Sequence, residues 1–173
     1  IAAAVAWRIE YRAAELLASP PPEREAFEAM HEAGPVGRDA DGRPVVLERL
    51  GRLSVPALLA QFDERTVVSH ATFALEAARA MCRAASHKRG RRIYRAVWVL
   101  DAKGLGLGHA RALGIAEQLA AAYPEMVARL YVVNTPPWLA AAWAMLAPCL
   151  VSPRHRSKVG LLGGPTEYTA AFA

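Results

Sequence analysis

The chain has 173 residues, enough for one domain with a real core and short of the length at which chains divide in two. Apolar residues make up 54% and charged residues 21%, which excludes a disordered chain, and no apolar run reaches the roughly 20 residues that cross a bilayer. The net charge of +5 conceals an asymmetry: 12 acidic and 8 basic residues lie up to Glu76, whereas 4 acidic and 13 basic residues follow it.

In chain order, Val5, Ile9 and Leu16, with Trp7, Tyr11 and Ala14, fall on helical spacings, and Pro20-Pro21-Pro22 stops that helix. Ile1 lies inside it, so the sequence reads as cut from something longer, and no charged-then-apolar leader opens it. An acidic helix follows over 23–32, then Gly34-Pro35 and the turn Asp39 to Arg43 lead into a first strand, Val45-Val46-Leu47. Apolar residues at Val67, Ala71, Ala74, Ala78 and Met81 predict a long amphipathic helix over 66–86. The basic run 87–92 comes next and reads equally well as a solvated loop or a phosphate-facing patch.

Ala96 to Leu100 shows no polar alternation, the pattern of a strand buried on both faces. A glycine-rich turn (Gly104, Gly106, Gly108) leads to a helix carrying Leu113, Ala116, Leu119, Ala120 and Tyr123, closed by Pro124, and then to a second apolar strand, 130–133. Strand, helix and strand with short links predict a right-handed parallel crossover, hence an α/β fold. From Pro136 to Val151 the only polar side-chain groups besides Cys149 are indole nitrogens. Leu139, Trp143, Leu146 and Leu150 form one helical stripe and Trp138, Ala142, Met145 and Cys149 another, so both faces want apolar company. A core helix and a mobile lid that meets an apolar ligand and a membrane both fit. The tryptophans and the basic neighbours Arg154 and Arg156 favour the lid, because apolar insertion combined with anionic attraction suits reversible membrane contact. Val159 to Leu162 supplies a last strand.

Gly104-x-Gly106-x-Gly108 fails as a dinucleotide fingerprint, since Arg111 ends the pattern counted from Gly106 and His109 ends that from Gly104. The histidines are scattered without ligand spacing, and Cys82 and Cys149 lack C-x-x-C spacing, so no metal, zinc site or disulfide framework is expected. That cysteine usage points to a reducing, cytoplasmic setting. Asp101, at a strand end without a visible nucleophile or base, reads as a turn cap.

Taken in register, Gly42-Arg43-Pro44-Val45, Leu100-Asp101-Ala-Lys-Gly104, Tyr123-Pro124-Glu125, Tyr131 to Pro136, Pro148-Cys-Leu150 and Ser157-Lys158-Val159 resemble the CRAL-TRIO family of lipid-binding domains. The resemblance implies a mostly parallel sheet flooring an apolar cavity, helices covering it, and a gate helix over 138–150. It implies a non-enzymatic monomer with no cofactor, one that carries a lipid or other apolar molecule and meets membranes transiently as a peripheral protein. The cavity is then expected to involve Trp98 and Leu100 on the strand and the apolar residues of the gate. By the same resemblance, Glu125 and Lys158 match positions that engage a phosphatidylinositol headgroup. His155 replaces a small hydroxyl residue of those binders, and Ala96 and Trp98 stand where phosphatidylcholine binders place hydroxyls, which disfavours phosphatidylcholine. The expected organisation is a remnant of a helical module and linker over 1–41 and the lipid-binding domain over 42–173, shortened at its C-terminus. The rivals are an interaction module with a filled cavity and, last, a nucleic-acid binder using the 87–92 loop, where aromatic residues do not interleave with the charges.

Overall fold

The structure, a computed structural model, describes residues 2–172; the side chains of residues 3, 107, 110, 113, 150 and 169–172 lie outside the description, those of Leu113 and Leu150 among them. Helix α1 (Ala2–Glu10) stops well before Pro20, and Arg12 just beyond it takes a left-handed backbone (φ 47). Helix α2 (Arg24–Met30) leads into strand β1 (Ala33–Arg38), which has no apolar alternation and is absent from the sequence reading. It exists because it pairs antiparallel with β2 (Pro44–Glu48) across the turn at Asp39 to Arg43, where Gly42 has φ 82 and Asp39 accepts a 2.7 Å hydrogen bond from the Arg43 amide. The sheet therefore begins at Ala33, upstream of residue 42.

A short 3-10 turn (Leu50–Arg52) and α3 (Val55–Gln61) precede the long helix α4 (Glu64–Arg89). Asp63 caps α4 by accepting from the Thr66 amide, and Gly90 ends it in the left-handed region (φ 60). Then come β3 (Ala96–Asp101), α5 (Ala110–Ala122), β4 (Val127–Val133), α6 (Pro137–Leu150), α7 (Pro153–Arg156), β5 (Val159–Leu162) and α8 (Pro165–Phe172). The strands form one sheet in the order β1-β2-β3-β4-β5, with β2 to β5 parallel, so the fold is the expected α/β class.

Register assigns the faces. Val46 pairs with Trp98, Trp98 with Leu130 and Leu130 with Val159, and these residues share one face with Leu100 and Leu161. That face carries α4 and α5, since Val46 and Trp98 pack with Ala78 of α4 and with Ala122 and Tyr123 at the end of α5. Each crossover from β2 to β5 steps in the same direction, and right-handed connections then put α6 on this side as well. Of β3, only Ala96 and Val97 are fully buried; Trp98 to Asp101 are half-buried, so the strand is not buried on both faces throughout. A second core cluster joins Phe27, Leu53, Val55, Leu58, Phe62 and Val67 around the start of α4.

One buried carboxylate ties the helical layer together. Glu76, with 5% of its side chain exposed, accepts from Arg8 of α1 at 2.5 Å, from Arg79 at 2.9 Å and from the Tyr123 hydroxyl at 2.8 Å. Arg8 also lies over the Tyr123 ring, 5.1 Å from its centroid.

Candidate functional site

Glu125 sits in the link between α5 and β4 with a left-handed backbone (φ 63), a conformation few non-glycine residues adopt. Four basic side chains from two chain segments converge on its carboxylate. Arg95, just before β3, donates to Oε2 at 2.6 Å; Lys158 does so at 3.2 Å and Arg154 at 3.3 Å, while His155 Nε2 stands 3.9 Å from Oε1. The hydrogen bond from Lys158 is the main reason the Glu125 carboxyl lies below the usual carboxylate range, with the charges of Lys158, Arg154 and Arg95 adding to it against partial desolvation. Three permanent cations on one carboxylate leave a local surplus of positive charge, which suits an anionic group of a ligand.

Local structure explains how the cluster forms. Ser152 caps α7, accepting from the His155 amide, and its hydroxyl also meets His155 Nδ1 at 2.9 Å. The Lys158 carbonyl accepts from the Leu130 amide at 2.8 Å, which locks the entry of β5 beside β4. Lys158 is the most buried of the cations, with 15% of its side chain exposed. The sequence-selected Glu125, Lys158, His155 and Arg154 are thus brought together, whereas Arg156, half-buried, has no carboxylate partner among the described residues. Arg95 was missed. Its role depends on a contact across 30 positions, and nothing in its own neighbourhood signals that contact.

The 136–151 segment is a helix, as its composition suggests, and it is not a core helix. Trp138, Met145 and Leu146 are exposed, the last two at 70% and 47%, Leu139, Ala142 and Trp143 are half-buried, and among the described side chains of the helix only Ala147 is buried. The side chain of Leu150 lies outside the description. On the sheet, Trp98 packs against the two clusters beneath α4, while Leu100, Leu130 and Leu161 on the same face are half-buried. Apolar surface thus remains uncovered both on α6 and on the strands of the side it crosses. Two open clefts lie elsewhere: one of ≈ 250 Å³ between β1 and β2 beside Leu47, and one of ≈ 350 Å³ between α3 and the start of α5, lined by Val55, Leu59 and Arg111.

Other sequence candidates resolve simply. Asp101 accepts from the Lys103 amide at 3.0 Å and from Asn134 Nδ2 at 2.7 Å, which makes it the turn cap its position suggested. Cys82 is buried and Cys149 exposed, and neither forms a disulfide. Among the described residues no group of three or more His, Cys, Asp or Glu could hold a metal ion, and no helix is long and apolar enough to cross a membrane. The basic run 87–92 differs from its sequence reading in two respects: His87, Lys88 and Arg89 form the last turn of α4 rather than a loop, and an aromatic ring joins the charges. Tyr94, just beyond it, lies between Arg92 and Arg95, whose guanidinium carbons stand 4.9 and 4.8 Å from its ring centroid.

Comparison with known proteins gives a consistent answer. The family model for the CRAL/TRIO domain matches residues 30–170. Among curated proteins, the chain is 26% identical over 168 residues to the Aedes aegypti "Protein real-time", covering 92% of this chain and 25% of that protein. It is 28% identical over 134 residues to the Kluyveromyces lactis SEC14 cytosolic factor, covering 72% and 43% respectively. The chain thus spans less than half the length of these relatives. Among solved structures, Sfh5 superposes with a TM-score of 0.67 at 17% identity, over 96% of this chain and 58% of that one, a likeness of fold.

Proposed function

The chain belongs to the CRAL/TRIO domain family, whose members bind lipophilic ligands and transfer them and typically are not enzymes, and we propose that it carries a phospholipid with an anionic headgroup, such as phosphatidylinositol, between membranes. The observation that carries this reading is the cluster of Arg95, Arg154 and Lys158 on Glu125 at the edge of an incompletely covered apolar face. Lys158 would hold the lipid phosphate with a compact positive charge, and Glu125 would accept hydrogen bonds from headgroup hydroxyls. Helix α6, together with Trp98, Leu100, Leu130 and Leu161, would enclose the acyl chains. The helix would close over bound lipid and open at a bilayer, where apolar surroundings lower the cost of exposing Trp138 and Trp143. His155 in place of a small hydroxyl leaves an imidazole beside the headgroup position, a departure from the phosphatidylinositol binders that bears on which headgroup is held.

Native mass spectrometry of the purified protein is expected to find a copurified lipid, and vesicle assays to find lipid movement between donor and acceptor membranes. Absence of both would leave an interaction module with a filled cavity as the better reading. Lys158→Ala removes a charge-assisted hydrogen bond, so affinity for an anionic phospholipid is expected to fall about 10- to 100-fold while uptake of a neutral apolar ligand is unchanged. Equal losses for both ligands would refute the headgroup role of Lys158.

A further inference from the structure

The second basic cluster, which the lipid site does not use, lies on the same edge of the sheet as that site. The tip of the β1–β2 hairpin touches the turn after α4: Arg91 donates to the Asp41 carbonyl at 2.8 Å, and a side chain at Gly42 would collide with Arg89. Ser86 holds that turn by accepting from the Ile93 amide at 2.8 Å and donating to the Ile93 carbonyl at 2.9 Å. From there the chain enters β3 through Arg95, which reaches Glu125 and, across it, α7. Hairpin tip, α4 turn, Glu125 and α7 thus form one continuous belt along the edge where β2 to β5 begin.

Charge separates this belt from the rest of the molecule. Segments 38–43, 88–95 and 154–158 with Glu125 contain ten Arg and Lys residues against three Asp and Glu, a surplus of seven that exceeds the whole chain's +5 and leaves the remainder net negative. Among the described residues, Lys88, Arg89 and Arg92 are exposed and have no carboxylate partner. Between the belt's two halves, Tyr94 stands 46% exposed, an amphipathic ring of the kind that settles at a lipid headgroup layer. The exposed residues Met145 and Leu146 belong to the half of α6 that leads directly into α7 at this edge.

We propose that this edge is the face by which the protein docks on an anionic bilayer, with Lys88, Arg89 and Arg92 as its principal cations and the end of α6 as its apolar part. Unpaired, solvent-facing cations lose little on meeting anionic headgroups, and a molecule positive along one edge and negative elsewhere is turned toward such a surface as it approaches. The proposal concerns how the protein meets the membrane and does not depend on what occupies its interior.

The test is co-sedimentation with phosphatidylcholine vesicles prepared with and without phosphatidylserine. The wild-type protein is expected to bind the phosphatidylserine vesicles, less so as salt is raised, and to leave phosphatidylcholine alone in solution. The variant Lys88→Gln/Arg89→Gln/Arg92→Gln is expected to lose binding on the order of 100-fold, roughly fivefold for each charge. A charge-matched control, Arg49→Gln/Arg52→Gln/Lys103→Gln, alters the opposite edge and is expected to bind like wild type. Thermal melts verify that both variants fold, and both should still copurify with lipid, which separates failure of this face from failure of the lipid-binding reading. Unchanged binding by the first variant, or equal losses in the two, would overturn the proposal. So would tighter binding of a single-stranded oligonucleotide than of phosphatidylserine vesicles in the same buffer, because Tyr94 between two arginines would then be a base-stacking platform.

Discussion

Glu76 keeps its charge in a place that should discourage it. Burial alone would push its carboxyl up, but hydrogen bonds from Tyr123 and Arg8 and the charge of Arg79 outweigh that and hold it below the usual range. Burial first, and then its bond to the Glu76 carboxylate, push the Tyr123 hydroxyl the opposite way, up. Glu76→Gln leaves two arginines facing a neutral amide and is expected to cost about 3 kcal/mol in denaturant titrations at neutral pH, at the low end for a broken buried pair because both arginines are partly exposed. The loss should vanish in acid: a carboxyl with a lowered folded-state pKa stabilises above its unfolded value and ceases to as pH falls through the folded one. His70 titrates in the other sense. It stacks on Phe27 with centroids 4.1 Å apart, meets the Pro22 carbonyl at 2.9 Å through Nε2, and burial lowers its pKa. The unfolded chain therefore takes up that proton at a higher pH than the folded one, so stability should decline as pH drops below 6.5, and His70→Gln should flatten that decline in melts recorded against pH. None of these partnerships was legible in the sequence, where Glu76 is one more charge on an amphipathic helix and its partners lie at positions 8 and 123. Glu125 and Lys158 were legible only by resemblance, and Arg95 not at all.

Elements divide by whether their cause is local. Helix α6 was readable almost to the residue, because a segment without charges between prolines has few alternatives, and α4 announced itself by periodicity, although its Asp63 cap went unread. The helix expected over 66–86 extends to 64–89, with its last turn made of the basic residues His87, Lys88 and Arg89. Strand β1 and the short helices α3 and α7 escaped notice, since one is made by pairing and the others are too brief for periodicity to register. The exposure of α6 yields a prediction that the composition could not supply. Met145→Ser and Leu146→Ser remove apolar surface already in water, so unfolding stability should change by no more than about 0.5 kcal/mol each while transfer between vesicles slows. A comparable loss of stability would mean that these side chains belong to the core after all.

At the level of the whole molecule, the order of strands was inferable in part: one parallel crossover was expected from the alternation of strand and helix, and the sheet extends it to three. The polarity of charge was half visible, as an acidic first part and a basic second part of the sequence. Folding sharpened it by setting two basic runs, separated by more than sixty positions, along a single edge with Arg95 and Glu125 between them.

The strand that escaped the sequence reading guards the assembly from its own kind. A sheet of this sort ends in unpaired amides and carbonyls on which a second copy could lay a strand, and then a third. At one margin, β1 presents Gly34, Pro35 and Gly37, with a break in register between Pro35 and Gly37, and proline has no amide to offer. At the other, β5 is four residues long. Neither margin gives a neighbour a regular ladder to extend, which disfavours edge-to-edge pairing between copies.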